Sequence, residues 1–335
     1  RRSSDLLFRR QNSATGLIRM LQARGRLVDD PQAQRAAYFE VADLCDVTGD
    51  TEGAIDAWRA AVALDETDRD ALHRLASVYT RVGRVSELKA TLAQGVRVAA
   101  NSTEEKQLRQ RLATLCSEGQ DHAGALAQWQ AIVDVDPTDL AAMRTLEGMY
   151  GNVKDWDAMR ELKMRRADGS PLPSDRLAIL GEIANLDEQQ RQRPDDAIAT
   201  WYGALEVDPR HVPAFDGLER LLRAATRWHD VVELLERRAE VCAADADVTG
   251  EIRALATIAD IWEGPLDSPD AAAEVLEKIL RRDAASVAAL TRLSKVYQRN
   301  HDLEKCKRTL EQALALGPTG RDAADLYVRL ADVAG

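Results

Sequence analysis

Apolar residues recur at i, i+3, i+4 and i+7 through most of the chain, the spacing that lays one stripe along an amphipathic helix. The periodic segments run for about 12 to 16 residues, helix rather than strand length. Short polar breaks separate them: VTGDTE, LDETDRD, DVDPTDL, EVDPRHV, RDAAS and LGPTGRD. Pro137, Pro209 and Pro318 fall at equivalent breaks. There a proline ends one helix, and Asp or Thr caps the next. No strand pair is predicted, and no apolar run reaches the roughly 18 residues that mark a membrane span.

The pattern repeats. A small residue in the first helix of each pair recurs at Ala42, Ala76, Ala113, Ala184, Ala259, Ser294 and Ala331, with Glu147 and Glu219 filling two intermediate places. Successive gaps are 34, 37, 34, 37, 35, 40, 35 and 37 residues. Two helices per 34-residue step predict a solenoid, in which no pair buries its apolar stripe alone and stacking makes one continuous core. The alternating gaps add a double repeat of about 72 residues. It shows in AIDAWRAAVALDETDRDAL, ALAQWQAIVDVDPTDLAAM and AIATWYGALEVDPRHVPAF, which carry Trp58, Trp129 and Trp201 at one place.

These columns resemble the tetratricopeptide repeat (TPR) family. One pair supplies Leu72, Leu75, Ala76, Tyr79 and Gly83, and another Leu112, Ala113, Cys116, Ala125, Trp129 and Pro137. Further matches are Leu146 with Tyr150; Ile183, Ala184, Ala197, Trp201 and Pro209; and Leu293, Tyr297, Leu310 and Pro318. The resemblance implies an all-α fold, an α-solenoid of antiparallel helix pairs coiled into a right-handed superhelix with the first helices lining its concave wall. One continuous array is expected over 1–335. Its helix pairs lie near 34–68, 69–104, 105–139, 140–173, 174–211, 212–248, 249–286 and 287–320, between partial repeats at 1–33 and 321–335. A helical-hairpin solenoid of the HAT or Sel1 type is the alternative, and the 34-residue spacing disfavours it. Three residues depart from the family pattern: Glu147 and Glu219 in the small-residue column, and Asp187 where Tyr or Cys stands elsewhere.

The repeat decides how the aromatic residues are expected to serve. Trp58, Trp129 and Trp201 each follow an alanine by four residues, on one helical face, and the fourth copy has Leu276 after Ala272. A place that accepts any large apolar group predicts core packing rather than ligand contact. Tyr79, Tyr150 and Tyr297 are expected in the core, as is Trp262, which shares the column of Cys45 and Cys116. Trp156 and Trp228 open second helices, where an N-terminal hydrophobic clamp is expected and a half-exposed ring for a partner is the alternative.

Composition narrows the function. The formal net charge of −11 argues against nucleic acid as a partner, because phosphate contact needs a basic surface. Residues 1–26 are a local exception, with seven Arg against Asp5. Cys45, Cys116, Cys242 and Cys306 are too scattered for a disulfide framework or a zinc-ligand spacing, and buried thiols are expected. The five histidines show no HExxH pairing, and no nucleophile elbow or dinucleotide-binding glycine motif occurs. GPTGRD lacks the Lys of a phosphate loop, and DADVTGE lacks the bidentate Glu of a calcium loop, with Ala256 in its place. No catalytic residue, cofactor or metal is predicted.

What remains is charge on the first helices. One set of units offers Asp43, Asp46, Glu118, Glu182, Glu188, Asp260 and Glu263, and the alternate set offers Arg74, Arg81, Arg144, Arg220, Arg223, Arg292, Lys295 and Arg299. Within these, Asp43, Arg81, Glu118, Arg144, Glu188, Arg220, Arg223, Asp260, Lys295 and Arg299 are the candidate partner-binding residues. Either neighbouring helices neutralise each other, or a polar groove takes an extended peptide bearing both signs. The expected function is a non-catalytic protein-interaction scaffold. The alternatives are an assembly element that self-associates through its ends, or the regulatory arm of an enzyme encoded elsewhere in a longer chain. The start RRSSDLLFRR, without an initiator Met, and the 37 Arg against 8 Lys lead to the expectation of a fragment of a bacterial, cytoplasmic protein.

Overall fold

The computed structural model describes residues 14–334; the first half of the basic 1–26 segment lies outside the described residues. Eighteen helices and no strand are found among them. They form two compact units, one ending at Asp155 and the other beginning at Trp156. The sequence predicts one continuous array, and the division falls inside the pair expected near 140–173.

The first unit contains α1 (Ala14–Leu27), α2 (Pro31–Thr48), α3 (Thr51–Leu64), α4 (Arg69–Val82), α5 (Val85–Arg97), α6 (Ser102–Glu118), α7 (His122–Val135) and α8 (Leu140–Val153). The second contains α9 (Trp156–Asp168), α10 (Pro173–Gln189), α11 (Pro194–Val207), α12 (Val212–Ala224) and α13 (Trp228–Ala244). It continues with α14 (Val248–Glu263), α15 (Pro269–Arg282), α16 (Val287–Arg299), α17 (Leu303–Ala315) and α18 (Gly320–Ala334). Within each unit every helix packs on the next, as short connections between antiparallel helices require.

The polar breaks work as helix punctuation. Asp50, Asp68, Asp121, Asp139, Asp247 and Asp302 sit at N-caps and accept backbone N–H bonds from the first turn that follows. Each such cap stabilises its helix by about 1 kcal/mol. Gly49 and Gly83 close α2 and α4 in the left-handed region, with φ of 79° and 75°. Later turns use side-chain-bearing residues there, including Lys154, Thr226 and His301.

The small-residue column is the seam of the core. Ala42, Ala113, Ala184, Ala259 and Ser294 are fully buried, and Ala76 nearly so. Large apolar residues one position earlier (Val41, Leu75, Leu112, Leu146, Ile183, Leu218, Ile258 and Leu293) are buried beside them. The result is a row of equivalent contacts rather than one globular centre. α9 departs from this pattern. It buries only Leu162 and Ala167 and is dense in charge.

Candidate interaction surface

The first helices carry their charges as the alternating pattern predicts, and much of that charge is paired across one repeat step. Arg81 on α4 bonds Asp46 on α2. Arg220 on α12 grips both carboxylate oxygens of Glu188 on α10, and this bond holds the Glu188 carboxyl below its usual range. Arg292 on α16 reaches Asp260 and Glu263 on α14 at 2.7 and 2.9 Å, and Arg299 meets Asp267 at 2.7 Å. Arg223 pairs with Glu219 on its own helix at 2.8 Å. Glu182 lies between Lys163 and Arg166 of α9 at 2.5 and 2.7 Å.

The remaining candidates behave differently. Asp43, Glu118 and Arg144 in the first unit and Lys295 in the second are exposed, with no ion pair among the described residues. Arg74 and Arg253 share that condition. The predicted charges thus divide into a structural set, occupied by a neighbour, and an available set. Exposed pairs of the first kind contribute about 0–1 kcal/mol each.

Two further contacts bridge repeats in the first unit. Asp68, the buried N-cap of α4, accepts from Arg35 of α2, and that guanidinium holds its carboxyl below the ordinary range. Lys106 of α6 reaches Asp136 and Asp139 at 2.7 Å each, and pulls the Asp136 carboxyl down to about 2. Sequence reasoning missed both. The signal was available, because Arg35 and Lys106 lie 71 residues apart, as do Asp68 and Asp139.

The three matched tryptophans differ in their surroundings. Trp58 on α3 is 1% exposed and meets the Phe39 ring edge-on, with centroids 4.7 Å apart. Trp201 on α11 is 7% exposed and lies over two glycines, Gly181 on α10 and Gly217 on α12. A Cβ at Gly217 would stand 2.7 Å from the indole nitrogen, so only glycine leaves room for this ring. Trp129, expected in the core with them, is half-buried. The places of Gly181 and Gly217 are Gln110 and Thr145 in its repeat. Trp262 is also half-buried, packed against the core and edge-on to His229 at 5.7 Å. Tyr79, Tyr150 and Tyr297 are buried.

The odd residue in the Tyr/Cys column is the centre of a buried polar cluster. Asp187 is fully buried and accepts from Arg160 Nε at 3.0 and 3.1 Å, Arg191 Nη1 at 2.5 Å and Thr200 Oγ1 at 3.3 Å. Arg191 continues to Asp157 and Asp196 at 2.8 and 2.9 Å. A buried carboxylate is tolerated only with such pairing. Cys45, Cys116 and Cys306 are buried, and Cys242 is half-buried. Burial, then Asp50 and Asp46, pushes the Cys45 thiol up to about 11, which keeps it protonated and unreactive.

Helix pairs in sequence, with a buried small-residue column and a large apolar residue beside it, make the chain an all-α helical repeat array. Several similar solved structures are tetratricopeptide proteins. The chain is similar to one in the structure of Naa15/Naa10 bound to HypK-THB, at 13% identity and a TM-score of 0.37, covering 99% of this chain and 66% of that one. It is similar to the P58(IPK) TPR domain at 14% identity and a TM-score of 0.26, covering 99% and 96%. A tetratricopeptide repeat protein from Parabacteroides merdae gives 13% identity and a TM-score of 0.28, covering 90% and 99%. No family model matches the sequence, and no curated protein matches it.

Proposed function

We propose that this chain is a non-catalytic protein-interaction scaffold that holds a partner protein or extended peptide along its first helices. The observation that supports this most directly is the division of first-helix charge. Cross-repeat pairing occupies Arg81, Glu188, Arg220, Asp260 and Arg299, while Asp43, Arg74, Glu118, Arg144 and Lys295 stay exposed and unpaired. Unpaired charges on a preordered surface supply register and association rate without having to break an internal contact first. No helix of the described residues is long and apolar enough to cross a membrane.

Affinity capture with the intact chain, compared with an Arg74→Glu/Arg144→Glu double variant, tests this reading. Captured partners should fall away with the double variant, whose folding is unaffected because neither side chain has an ion pair to lose. Equal recovery of the same partners would remove the first-helix face from the site.

A further inference from the structure

We propose that the cleft between α15 and α17 is a binding site for a phosphate group, as carried by a phosphomonoester or a diphosphate. Its charged groups stand on second helices, and the inference goes beyond the scaffold reading, which concerns the first.

A reversal of charge sets this cleft apart. Arg281 stands where Ala63, Asp134 and Glu206 stand in the other copies of α15. On α17, Lys305 replaces Glu87, Ala158 and Asp230, and Arg308 replaces Ala90, Glu161 and Glu233. Three places that are neutral or acidic in every other double repeat thus carry cations here. The matching places on α11 and α13 hold Glu206, Asp230 and Glu233, with Arg237 in place of Gln312. Helix stability does not account for the change at Lys305, which lies in the first turn of α17, where the helix dipole disfavours a cation.

All three cations line one open cavity of 420 Å³. That lies within the range of small-ligand pockets, about 300–1,000 Å³. Leu293 and Tyr297 of α16, both buried, line its inner side. Among the described residues Glu277 is the one carboxylate on its wall, and it accepts from the Tyr297 hydroxyl at 2.6 Å. Burial, then that bond, pushes the Tyr297 hydroxyl up, so it stays protonated as the donor to Glu277.

The cations are held loosely. Arg281 is exposed and has no ion pair among the described residues. It also borders the neighbouring cleft toward α13, where Glu236 and Glu240 stand without an ion pair to it. Lys305 meets Asp302 at 3.1 Å, and that carboxylate also caps α17. Arg308 meets Glu304 only at 4.0 Å, with both side chains largely exposed. Neither Asp302 nor Glu304 lines the cleft, and surface pairs of this kind contribute little, so an incoming anion can displace them. A phosphate brings three acceptor oxygens and up to two charges, enough to answer several of these donors at once. A guanidinium takes two of its oxygens side by side. A single carboxylate would leave two of the three cations unanswered.

The test is calorimetric titration of the intact chain with pyrophosphate and with inorganic phosphate at low ionic strength, with malonate as a dicarboxylate control. Pyrophosphate should bind most tightly, and malonate about tenfold or more weakly than it. Pyrophosphate affinity should fall by about tenfold or more with Arg281→Glu and with Arg308→Glu. Arg253→Glu makes the same change of net charge on α14 and should leave the affinity within a few-fold. Helical circular dichroism of each variant checks that the fold is retained. Absence of pyrophosphate binding up to about 10 mM overturns the site, as does an equal affinity in Arg281→Glu and Arg253→Glu. Malonate binding as tightly as pyrophosphate overturns the assignment to phosphate. None of these outcomes bears on partner capture by the first helices, so the scaffold reading stands or falls on its own experiment.

Discussion

α3 and α11 are the same element built twice, and they are locked by opposite means. Around α3 the contacts are apolar: Cys45 on the partner helix, Ala57 facing it, and Trp58 against Phe39. Around α11 the matching residues are Asp187 and Thr200, joined by a hydrogen bond, and Trp201 lies on glycine rather than against a second ring. A residue's place in the repeat fixes where it points. What it meets is decided by the partner helix, and the two helices change together.

The largest effect should come from Trp58→Ala, which removes a ring with 1% exposure and leaves Phe39 without its partner. A loss of about 3–5 kcal/mol is expected, measured by urea unfolding of the intact chain. Asp187→Ala comes next. It leaves the largely buried Arg191 facing a vacated site and should cost about 3 kcal/mol, whereas Cys45→Ala, at the matching place, should cost less. Equal losses at the two places would break the contrast between a polar and an apolar lock.

Gly217→Ala sharpens the contrast further. The added methyl meets the Trp201 indole at 2.7–3.2 Å, and overpacking of this kind costs about 1–3 kcal/mol. Trp201→Leu in the same chain should restore part of that loss, and additivity of the two changes would show that the ring and the glycine are not in contact. Trp129→Leu should cost less, about 1–2 kcal/mol, since the ring is partly exposed and Leu refills part of the volume it leaves. The smallest change carries the opposite sign. Thr226 holds φ at 57°, where a β-branched side chain is strained, and Thr226→Gly should raise stability by about 1 kcal/mol, read as a higher melting temperature.

The helix pairs were legible because a 34-residue period, apolar stripes and Asp-rich breaks are local signals. The alternating signs on the first helices were legible for the same reason, and Arg81–Asp46, Arg220–Glu188 and Arg292–Asp260 now stand paired. The partial exposure of Trp129 was not legible, because its own stripe matches those of Trp58 and Trp201 and the packing around the ring is set by other helices. Asp187 stood out as an exception to its column. Its i,i+4 partner Arg191 is a local signal, but Arg160 lies 27 residues upstream on α9, and no local pattern joins it to Asp187.

The cross-repeat ion pairs also set the step by which this chain can change length. Acidic first helices precede basic ones at α2 and α4, α10 and α12, and α14 and α16. Excising a single helix pair from such a run would set carboxylate against carboxylate or guanidinium against guanidinium at the new junction. Excising two consecutive pairs restores an acid-to-base junction and keeps the tryptophan column in phase. Growth and shrinkage of the array are therefore compatible with its electrostatics in even steps.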